Sequence, residues 1–395
     1  MPSIHSALII GGGIAGPVAG AALRKAGIDA TVYEAYPAPS DGIGGALALE
    51  PNGLAALDLI GAADAVRAAA IPIARSVMSI AGTPRGKMPS LPGLEPRRAI
   101  DRGSLHRILQ ENAAAAGVRF EYGKRLVAVD ESSNGVTARF ADGSEASADI
   151  LIGADGVRST VRRLIDPQAP GADYTGMLGF EGLVDVDLNL PPETMTFAFG
   201  RRAYYLYWVR PDGRISWGAN LPSPQYRSLT DARAVPKEQW LSTLRETYRE
   251  DTPGGLLAER TTAENLQVTG ALHIMPPVPH WYRDRLVLVG DAVHAPSNST
   301  GQGASQAIES AIQLARCLRD LPDPSSAFRT YEHLRRDRVE RITRRGAKIN
   351  KSKTPGPLAQ KIMPALMPLM FKMMNLEKIM ATELRYTIDW NAPVG

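Results

Sequence analysis

Residues 285–311 read RLVLVGDAVHAPSNSTGQGASQAIESA, and this stretch decides the fold. The apolar run 286–289 has the composition of a buried strand and ends at Gly290 and Asp291. From Gly303 onward, apolar residues recur at helical spacing. A carboxylate at a strand's end can accept hydrogen bonds from a polyol, and a glycine-rich helix start directs N–H groups at negative charge. The stretch therefore predicts a site for a sugar-alcohol chain and an electron-rich ring; an ordinary strand–loop–helix connection is the alternative.

A second glycine-rich turn, GGGIAG, occupies residues 11–16. An apolar run precedes it, a helical pattern follows from Ala15 to Ala26, and the strand-like DATVYE ends at Glu34. Glu34 lies eighteen residues after Gly16 (34 minus 16), near the spacing at which an acid meets a ribose hydroxyl. The order predicts a dinucleotide site, with a ligand-free turn as the alternative. The acid disfavours a 2′-phosphate, so NAD or the adenosine half of FAD suits the site better than NADPH.

A third strand also ends in glycine and aspartate. ADILI at 148–152 leads into Gly153 and Asp155, and a helical VRRLI follows. A plain capped helix is the alternative here, because Asp and Ser are good N-caps. The glycines at 42–45 would let a flat ring lie against backbone or would form a flexible connector.

In the middle of the chain, the residues alternate in character with the period of two that is typical of β-strands. MTFAFG, AYYLYWVR and RISWGAN within 174–220 predict a second, antiparallel sheet. We expect an α/β fold class: a Rossmann-like domain that binds a dinucleotide such as FAD, a mainly antiparallel substrate domain and C-terminal helices. The expected boundaries are 1–72, 97–172 and 273–345 for the first domain, 73–96 and 173–272 for the second, and 346–395 for a methionine-rich helical tail that bridges the two domains. A homodimer interface is the alternative for that tail.

A helix is predicted from Arg98 to Ala115, with Asp101 as a candidate N-cap and Arg102 on its first turn. An arginine at such a place is usually a surface charge. Here it would reach a phosphate or the flavin.

Composition excludes several classes of protein. Of 395 residues, 44% are hydrophobic and 22% charged, a globular balance long enough for two domains. The net charge is +4, and the arginine cluster at 335–345 has no interleaved aromatic residues, which indicates a solvated helix face rather than a nucleic-acid site. Cys317 is the single cysteine, which excludes disulfide scaffolds, and the six histidines offer no credible metal set. With no basic leader and no apolar run of membrane-spanning length, we expect a cytoplasmic protein.

With its three motifs in this order, the chain resembles the single-component FAD-dependent aromatic hydroxylases, the group A monooxygenases with a p-hydroxybenzoate hydroxylase-like fold. GGGIAG with Glu34 is similar to that family's ADP-binding unit, and DILIGADGVRSTVR to its motif tied to FAD and NAD(P)H. RLVLVGDAVHAPSNSTGQG is similar to the motif in which Asp291 would bond the ribityl chain. The resemblance implies tight, non-covalent FAD, with NAD(P)H as a transient reductant. It assigns FAD to Gly11, Gly13, Ile14, Ala15, Gly16, Glu34, Ala35, Gly45, Arg102, Asp155, Gly290, Asp291, Gly301, Gln302, Gly303 and Ala304.

The resemblance also implies a reaction: O2 and NAD(P)H are used to hydroxylate an aromatic, polycyclic or polyketide-like molecule through a flavin C4a-hydroperoxide. The alternatives are an epoxidase or Baeyer–Villiger-type oxygenase of the same fold, an NAD-dependent dehydrogenase, and a non-enzymatic flavin-holding scaffold. No catalytic residue is assigned. Strand alternation, together with the Gly-Asp loop, offers these substrate-wall candidates: Tyr205, Tyr207, Trp217, Asn220 and Asn298. An aromatic stripe is more often part of the core than of a binding wall, and a core role is the alternative for the aromatic candidates.

Two departures from the family pattern indicate a substrate unlike a simple benzoate. Ser297 and Asn298 stand where many members carry Pro-Pro, and Glu181 stands where many carry Arg. His294, in the Gly-Asp loop, is expected to make a structural hydrogen bond.

Overall fold

The computed structural model describes residues 4–38, 45–80, 82–88, 91–353 and 376–394. Elements are numbered along the chain. The helices are α1 (Ala15–Lys25), α2 (Pro51–Asp58), α3 (Ala63–Ala69), α4 (Arg102–Ala115), α5 (Thr160–Ile165), α6 (Leu229–Ala234), α7 (Lys237–Tyr248), α8 (Gly254–Arg260), α9 (Gly303–Asp320), α10 (Pro324–Lys353) and α11 (Leu376–Leu384). Two 3-10 turns, Gly290–Ala292 and Asn298–Thr300, lie before α9.

In spatial order, the first sheet contains β18 (Tyr282–Arg283), β19 (Leu286–Leu288), β12 (Ile150–Gly153), β1 (Ser6–Ile10), β2 (Asp29–Glu34) and β8 (Arg119–Tyr122). Its central strands, β19, β12 and β1, are apolar and buried on both faces, as parallel strands usually are. The five strands from β19 to β8 run parallel, and β18 pairs antiparallel with β19. Because they run parallel, their carboxyl ends meet at one edge of the sheet.

The second sheet is mainly antiparallel, as predicted. In spatial order it contains β17 (Gln267–Ile274), β13 (Asp173–Val184), β16 (Ile215–Pro222), β15 (Tyr204–Val209), β14 (Thr194–Phe199), β5 (Arg75–Ile80) and β6 (Thr83–Lys87). Only the pairing of β14 with β5 is parallel among these neighbours. The segment 73–96 thus supplies two strands to a sheet whose other strands lie more than 75 residues further along the chain (173 minus 96).

Two small sheets complete the described strands. One contains β3 (Ala46–Leu49), β7 (Arg97–Asp101) and β4 (Ile71–Ile73); the other contains β11 (Glu145–Ala148), β10 (Val136–Phe140) and β9 (Leu126–Glu131). The β3–β7–β4 sheet lies against the second large sheet, because Ile73 and Ala99 form a buried cluster with Met195 and Trp208. This contact joins the two domains.

The predicted helix start at Arg98 is wrong. Residues 98–101 pair with β3 as part of β7, with Ala99 and Ile100 buried, and the helix begins at Arg102. Strand pairing with a distant segment overrides the local helical spacing. Asp101 does occupy the N-cap position, but its side chain makes no capping hydrogen bond.

The C-terminal region is described in part. Arg338 of α10 donates hydrogen bonds to the carbonyls of Thr382 and Glu383, so α11 is docked on α10. Most of the methionine-rich stretch, 354–375, lies outside the described residues, and the bridging tail stays a prediction.

Candidate functional site

The three glycine-containing motifs follow three adjacent strands. Gly11 follows β1, Asp155 follows β12 and Asp291 follows β19, all at the carboxyl edge of the first sheet. A Cβ added at Gly11, whose φ is +109°, would lie 2.4 Å from the carbonyl oxygen of Ala154. Only glycine allows this approach. The first two motifs therefore touch through backbone, at the place where open α/β sheets bind ligands.

The Gly-Asp turn is packed against both helices that begin at this edge. A Cβ at Gly290 would lie 2.9 Å from the Cβ of Ala15 in α1 and 3.3 Å from that of Ala307 in α9. The φ of Gly290 is +62°, a left-handed conformation that favours glycine. The turn thus holds Asp291 between two helix N-termini.

Those two N-termini are open. Ile14 and Gln302 occupy the N-cap positions of α1 and α9, and neither makes a side-chain capping bond. The Cβ directions of Gly13 and Gly303 meet no atom within 4 Å. Uncapped N–H groups beside open space suit a pyrophosphate at α1 and the electron-rich edge of a flavin at α9. The donor set present here therefore fits FAD.

Glu34 lies over the first glycine turn. Its carboxylate accepts hydrogen bonds from the backbone N–H groups of Gly12, at 2.7 Å, and Tyr36, at 2.9 Å. The glycine turn and the end of β2 are therefore fixed to one another. Lone pairs remain on the carboxylate for a ribose hydroxyl.

We expect Glu34→Ala to weaken FAD binding about tenfold, since a hydrogen bond to a charged group contributes roughly 1.5–3 kcal/mol and this carboxylate is partly solvated. Flavin fluorescence during titration of the apoprotein measures the dissociation constant, and far-UV circular dichroism checks that the fold is kept. Glu121→Ala, an exposed acid on edge strand β8, is the matched control. An unchanged dissociation constant in Glu34→Ala would show that Glu34 does not bind the ribose of FAD.

Asp155 caps a helix. Its carboxylate accepts hydrogen bonds from the hydroxyl of Ser159, at 2.5 Å, and from the N–H groups of Thr160 and Val161, at 2.6 and 3.1 Å. These three bonds use most of its acceptor capacity. We infer that Asp155 holds the turn on which Gly11 packs, and that its contact with FAD is made through this backbone.

Sequence reasoning missed Arg162. This buried arginine of α5 donates to the carbonyl of Ala292, at 2.7 Å, and to that of Val157, at 3.0 Å. It thereby ties the second motif to the Gly-Asp turn. The signal was present in VRRLI, where an arginine occupies a helical position among apolar residues.

Asp291 is accessible from the cleft but shielded from bulk solvent by the protein around it. This desolvation raises its pKa from 3.8 to about 6, and the charge of Arg102 opposes the shift. Arg102 is exposed on the first turn of α4, and its N–H donates to the carbonyl of Gly45, at 3.1 Å. Hydrogen bonds from hydroxyl groups would stabilise the charged form of a carboxylate in such a desolvated cleft, and a ribityl chain supplies hydroxyl groups.

Glu181 closes the same cleft from the second sheet. Its carboxylate accepts a hydrogen bond from the N–H of Ala46, at 2.7 Å, and lies so near Gly45 that a Cβ there would clash. Desolvation raises the pKa of Glu181 to about 7, against the charge of Arg102. An acid therefore stands over the glycine segment where the family pattern has an arginine.

The three aromatic wall candidates Tyr205, Tyr207 and Trp217 lie in the core between the second sheet and helices α7 and α8. The indole of Trp217 donates to the hydroxyl of Thr261, at 3.0 Å, and the hydroxyl of Tyr205 accepts from the N–H of Gly254, at 3.3 Å. Both polar groups therefore have hydrogen-bond partners within the core, on the face of the second sheet that points away from the first domain. We therefore propose the opposite face of β15 as the substrate wall.

Unpaired polar atoms mark that opposite face. Asn220, one of the wall candidates, lies directly across from Tyr204, and its Nδ2 is buried with no hydrogen-bond partner. The Nε1 of Trp208 and the Oε2 of Glu50 are also buried and unpaired. Asn298 is exposed in the turn before α9. Buried polar groups without partners are costly, so the free N–H groups of Asn220 and Trp208, on one face of the second sheet, are suited to donate to a bound ligand.

His294 makes a structural contact. Its Nε2 lies 2.7 Å from the hydroxyl of Ser310, and burial lowers its pKa to about 3, so the ring is neutral. A cavity of about 170 Å³ borders His294, Trp281 and Val339. It is smaller than the ~300–1,000 Å³ of common ligand pockets, and no glycine of the three motifs lines it.

None of the helices within the described residues has the length and apolar character needed to cross a lipid bilayer. In the same part of the chain, no three His, Cys, Asp or Glu side chains form a group able to hold a metal ion.

Comparisons with known proteins agree with this geometry. The FAD binding domain family model matches residues 5–346. A 3-amino-4-hydroxybenzoate 2-monooxygenase of Streptomyces platensis is 32% identical over 361 residues, which cover 85% of each chain. The FAD-dependent urate hydroxylase of Klebsiella pneumoniae is 30% identical over 358 residues, covering 87% of this chain and 88% of that one. The crystal structure of Klebsiella pneumoniae HpxO with FAD and uric acid superposes with a TM-score of 0.82, at 25% identity, over 96% of both chains.

Proposed function

This chain belongs to the single-component FAD-dependent aromatic hydroxylases, and from that premise we propose that it hydroxylates an aromatic or polyketide-like small molecule with O2 and NAD(P)H. One observation carries the proposal. Two open helix N-termini and the accessible carboxylate of Asp291 face one cleft, and the unpaired polar face of a second sheet closes it.

Each part of the cleft suits one part of FAD. The N–H groups after Gly13 would hold the pyrophosphate, Glu34 the adenosine ribose, and Asp291 the ribityl chain. The N–H groups at Gly303 and Ala304, with the dipole of the 18-residue α9, would stabilise negative charge on the ring. When bound, FAD supplies hydride acceptance and oxygen activation.

The protein's own part is to bind, orient and keep water out. The face of β15 with Tyr204 and Trp208 would position the ring to be hydroxylated, and the apolar contact of Trp208 with Ala99 would exclude solvent at the domain junction. Glu181 lies beside Gly45, where it would orient a substrate or flavin N–H by accepting a hydrogen bond.

The proposal is tested by product analysis under labelled dioxygen. Purified holoenzyme is screened against aromatic and polyketide-like compounds, with NADH and NADPH in turn, while oxygen uptake and peroxide release are followed. We expect a compound that accelerates NAD(P)H oxidation and gains one 18O atom from dioxygen. If FAD is bound but no compound accelerates oxidation, and all oxygen consumed appears as peroxide, the assignment to hydroxylation is wrong.

A further inference from the structure

Lys353, the last residue of α10, is a buried cation that has no countercharge among the described residues. Its side chain is 4% exposed, and its ammonium lies 3.7 Å from the centroid of the Tyr204 ring. Within the described part of the chain, no carboxylate forms an ion pair with it, and burial alone lowers the pKa of its ammonium. A buried lysine is normally paired, since removing an ammonium from water without a partner is costly. Contact with an aromatic face offsets only part of that cost.

The position of α10 places Lys353 beside the cofactor cleft. One turn earlier, the side-chain oxygen of Asn350 accepts hydrogen bonds from the hydroxyls of Ser297, at 2.7 Å, and Ser299, at 2.5 Å. A Cβ at Gly346 would lie 2.8 Å from a methyl carbon of Thr300. The helix therefore rests on the loop between Asp291 and Gly303, and its next turn reaches the second sheet.

On that sheet Lys353 meets the unpaired polar face. Tyr204 and Asn220 are cross-strand partners, so their side chains share one face. The Nδ2 of Asn220 is buried without a partner and can donate to an anion. A cation, an amide donor and an aromatic ring thus converge at the junction, within the part of the chain that the structure describes.

Neighbouring charges do not neutralise Lys353. Arg97 of β7 pairs with Glu50, at 3.4 Å, and Arg345 of α10 pairs with Glu383 of α11, at 2.5 Å. The charge of Arg97 also acts on the hydroxyl of Tyr204. These arginines and acids pair off one to one, which leaves the ammonium of Lys353 as the unmatched charge among the five.

We propose that Lys353, with Tyr204 and Asn220, binds a carboxylate on the substrate, so that the substrate is an aromatic acid. This inference rests on the proposed function and names the substrate class for the same site. Because Lys353 comes from the C-terminal helix, this helix contributes to specificity as well as to the domain contact.

Because the ammonium of Lys353 gains or loses a proton near neutral pH, the affinity for an aromatic acid is expected to depend on pH. Burial lowers the pKa of Lys353 from 10.5 to about 7, so above neutral pH the free site holds a neutral amine. A carboxylate favours the ammonium, so its binding takes up a proton there and weakens as the pH rises. Between pH 6.5 and 8.5 we expect the dissociation constant of an aromatic acid to rise about 20-fold.

The experiment measures binding without turnover. Oxidised holoenzyme is titrated with aromatic acids and with the matching carboxamides. The acids are benzoate, 4-hydroxybenzoate, 3-amino-4-hydroxybenzoate and 6-hydroxynicotinate. The change in the flavin absorption spectrum measures the fraction of sites that are occupied. We expect at least one acid to bind tenfold or more tightly than its amide at pH 6.5. In Lys353→Met, this preference and the pH dependence should both disappear, while FAD occupancy stays complete. Lys351→Met, on the exposed side of the same helix, should behave as the parent protein does.

The variant Lys353→Arg tests whether the pH dependence comes from titration of the lysine. This variant should still bind the acid more tightly than the amide, but its affinity should not depend on pH, because arginine stays charged throughout this range. If no acid binds, if amides bind as tightly as acids, or if Lys353→Met retains both the preference and the pH dependence, the inference is overturned. With FAD bound and hydroxylation observed on a neutral substrate, the proposed function would stand and this inference alone would fall. An apoprotein that takes up no FAD would instead overturn the proposed function.

Discussion

Asp291→Ala is expected to lose FAD. The carboxylate is the accessible acid between two open helix N-termini, and its desolvated position makes hydroxyl donors its natural partners. One hydrogen bond to a charged group contributes roughly 1.5–3 kcal/mol, so the loss of two would weaken binding by about 100-fold or more. Absorbance at the flavin bands after gel filtration measures retained cofactor. Full flavin occupancy in the variant would show that Asp291 does not hold the cofactor.

A companion variant distinguishes lost binding from lost folding. The folded apoprotein holds the Asp291 proton more tightly than the unfolded chain, since its pKa is raised from 3.8 to about 6. Its stability therefore falls as the pH rises from about 4 to about 6, and the destabilisation persists above that range. Asp291→Asn removes this effect. We expect its apoprotein to resist urea better than the parent apoprotein at pH 8, with the difference shrinking toward pH 4, while it still binds FAD poorly.

Glu309→Gln is expected to cost about 3–5 kcal/mol of folding free energy, the range for removing one partner of a buried ion pair. Glu309 of α9 is fully buried and accepts from Arg335, at 2.6 Å, from Arg338, at 2.9 Å, and from Asn52, at 2.6 Å. Burial acts to raise its pKa, but the two guanidinium groups outweigh this and hold the pKa below its usual value. The glutamine would leave both buried arginines without a countercharge. Urea denaturation of both proteins at pH 7 measures the difference.

The same cluster supports the cofactor cleft. The amide of Asn52 donates to the side-chain oxygen of Gln302, at 3.0 Å, and that of Gln306 does so at the same distance. Gln302 occupies the N-cap position of α9. Glu309→Gln should therefore also weaken FAD binding. Glu332→Gln, which breaks a partly exposed pair with Arg336 on α10, is the control and should cost under about 1 kcal/mol. Equal effects of the two variants would contradict the special role of the buried cluster.

The sequence predicts the elements that depend on local spacing. A glycine turn, an acid at a strand's end and the next helix start are fixed by neighbours in the chain, so Gly11, Glu34 and Asp291 could be placed before the fold was known. The three motifs end adjacent parallel strands in the first sheet. That adjacency depends on pairing between strands far apart in the chain, so local spacing does not predict it.

Properties that depend on long-range packing could not be read in this way. Alternation shows that Tyr205 and Tyr204 face opposite sides of a sheet, but both sides are aromatic, and only the docking of α7 and α8 decides which is core. Lys353 looks like any lysine at the end of a charged helix until its contact with Tyr204 is known. The arginine cluster at 335–345 was interpreted as a solvated face, yet Arg335 is fully buried, because its partner Glu309 lies on another helix.

The central claim is that one dinucleotide spans both open helix N-termini, with its pyrophosphate at α1 and its ring at α9. Parallel titrations of the apoprotein with FAD and with FMN, followed by flavin fluorescence, test it most directly. We predict one FAD per chain, bound at least about 100-fold more tightly than FMN, because FMN cannot use Glu34 and the complete pyrophosphate site. Equal affinity for the two flavins, or the absence of saturable FAD binding, would contradict the account.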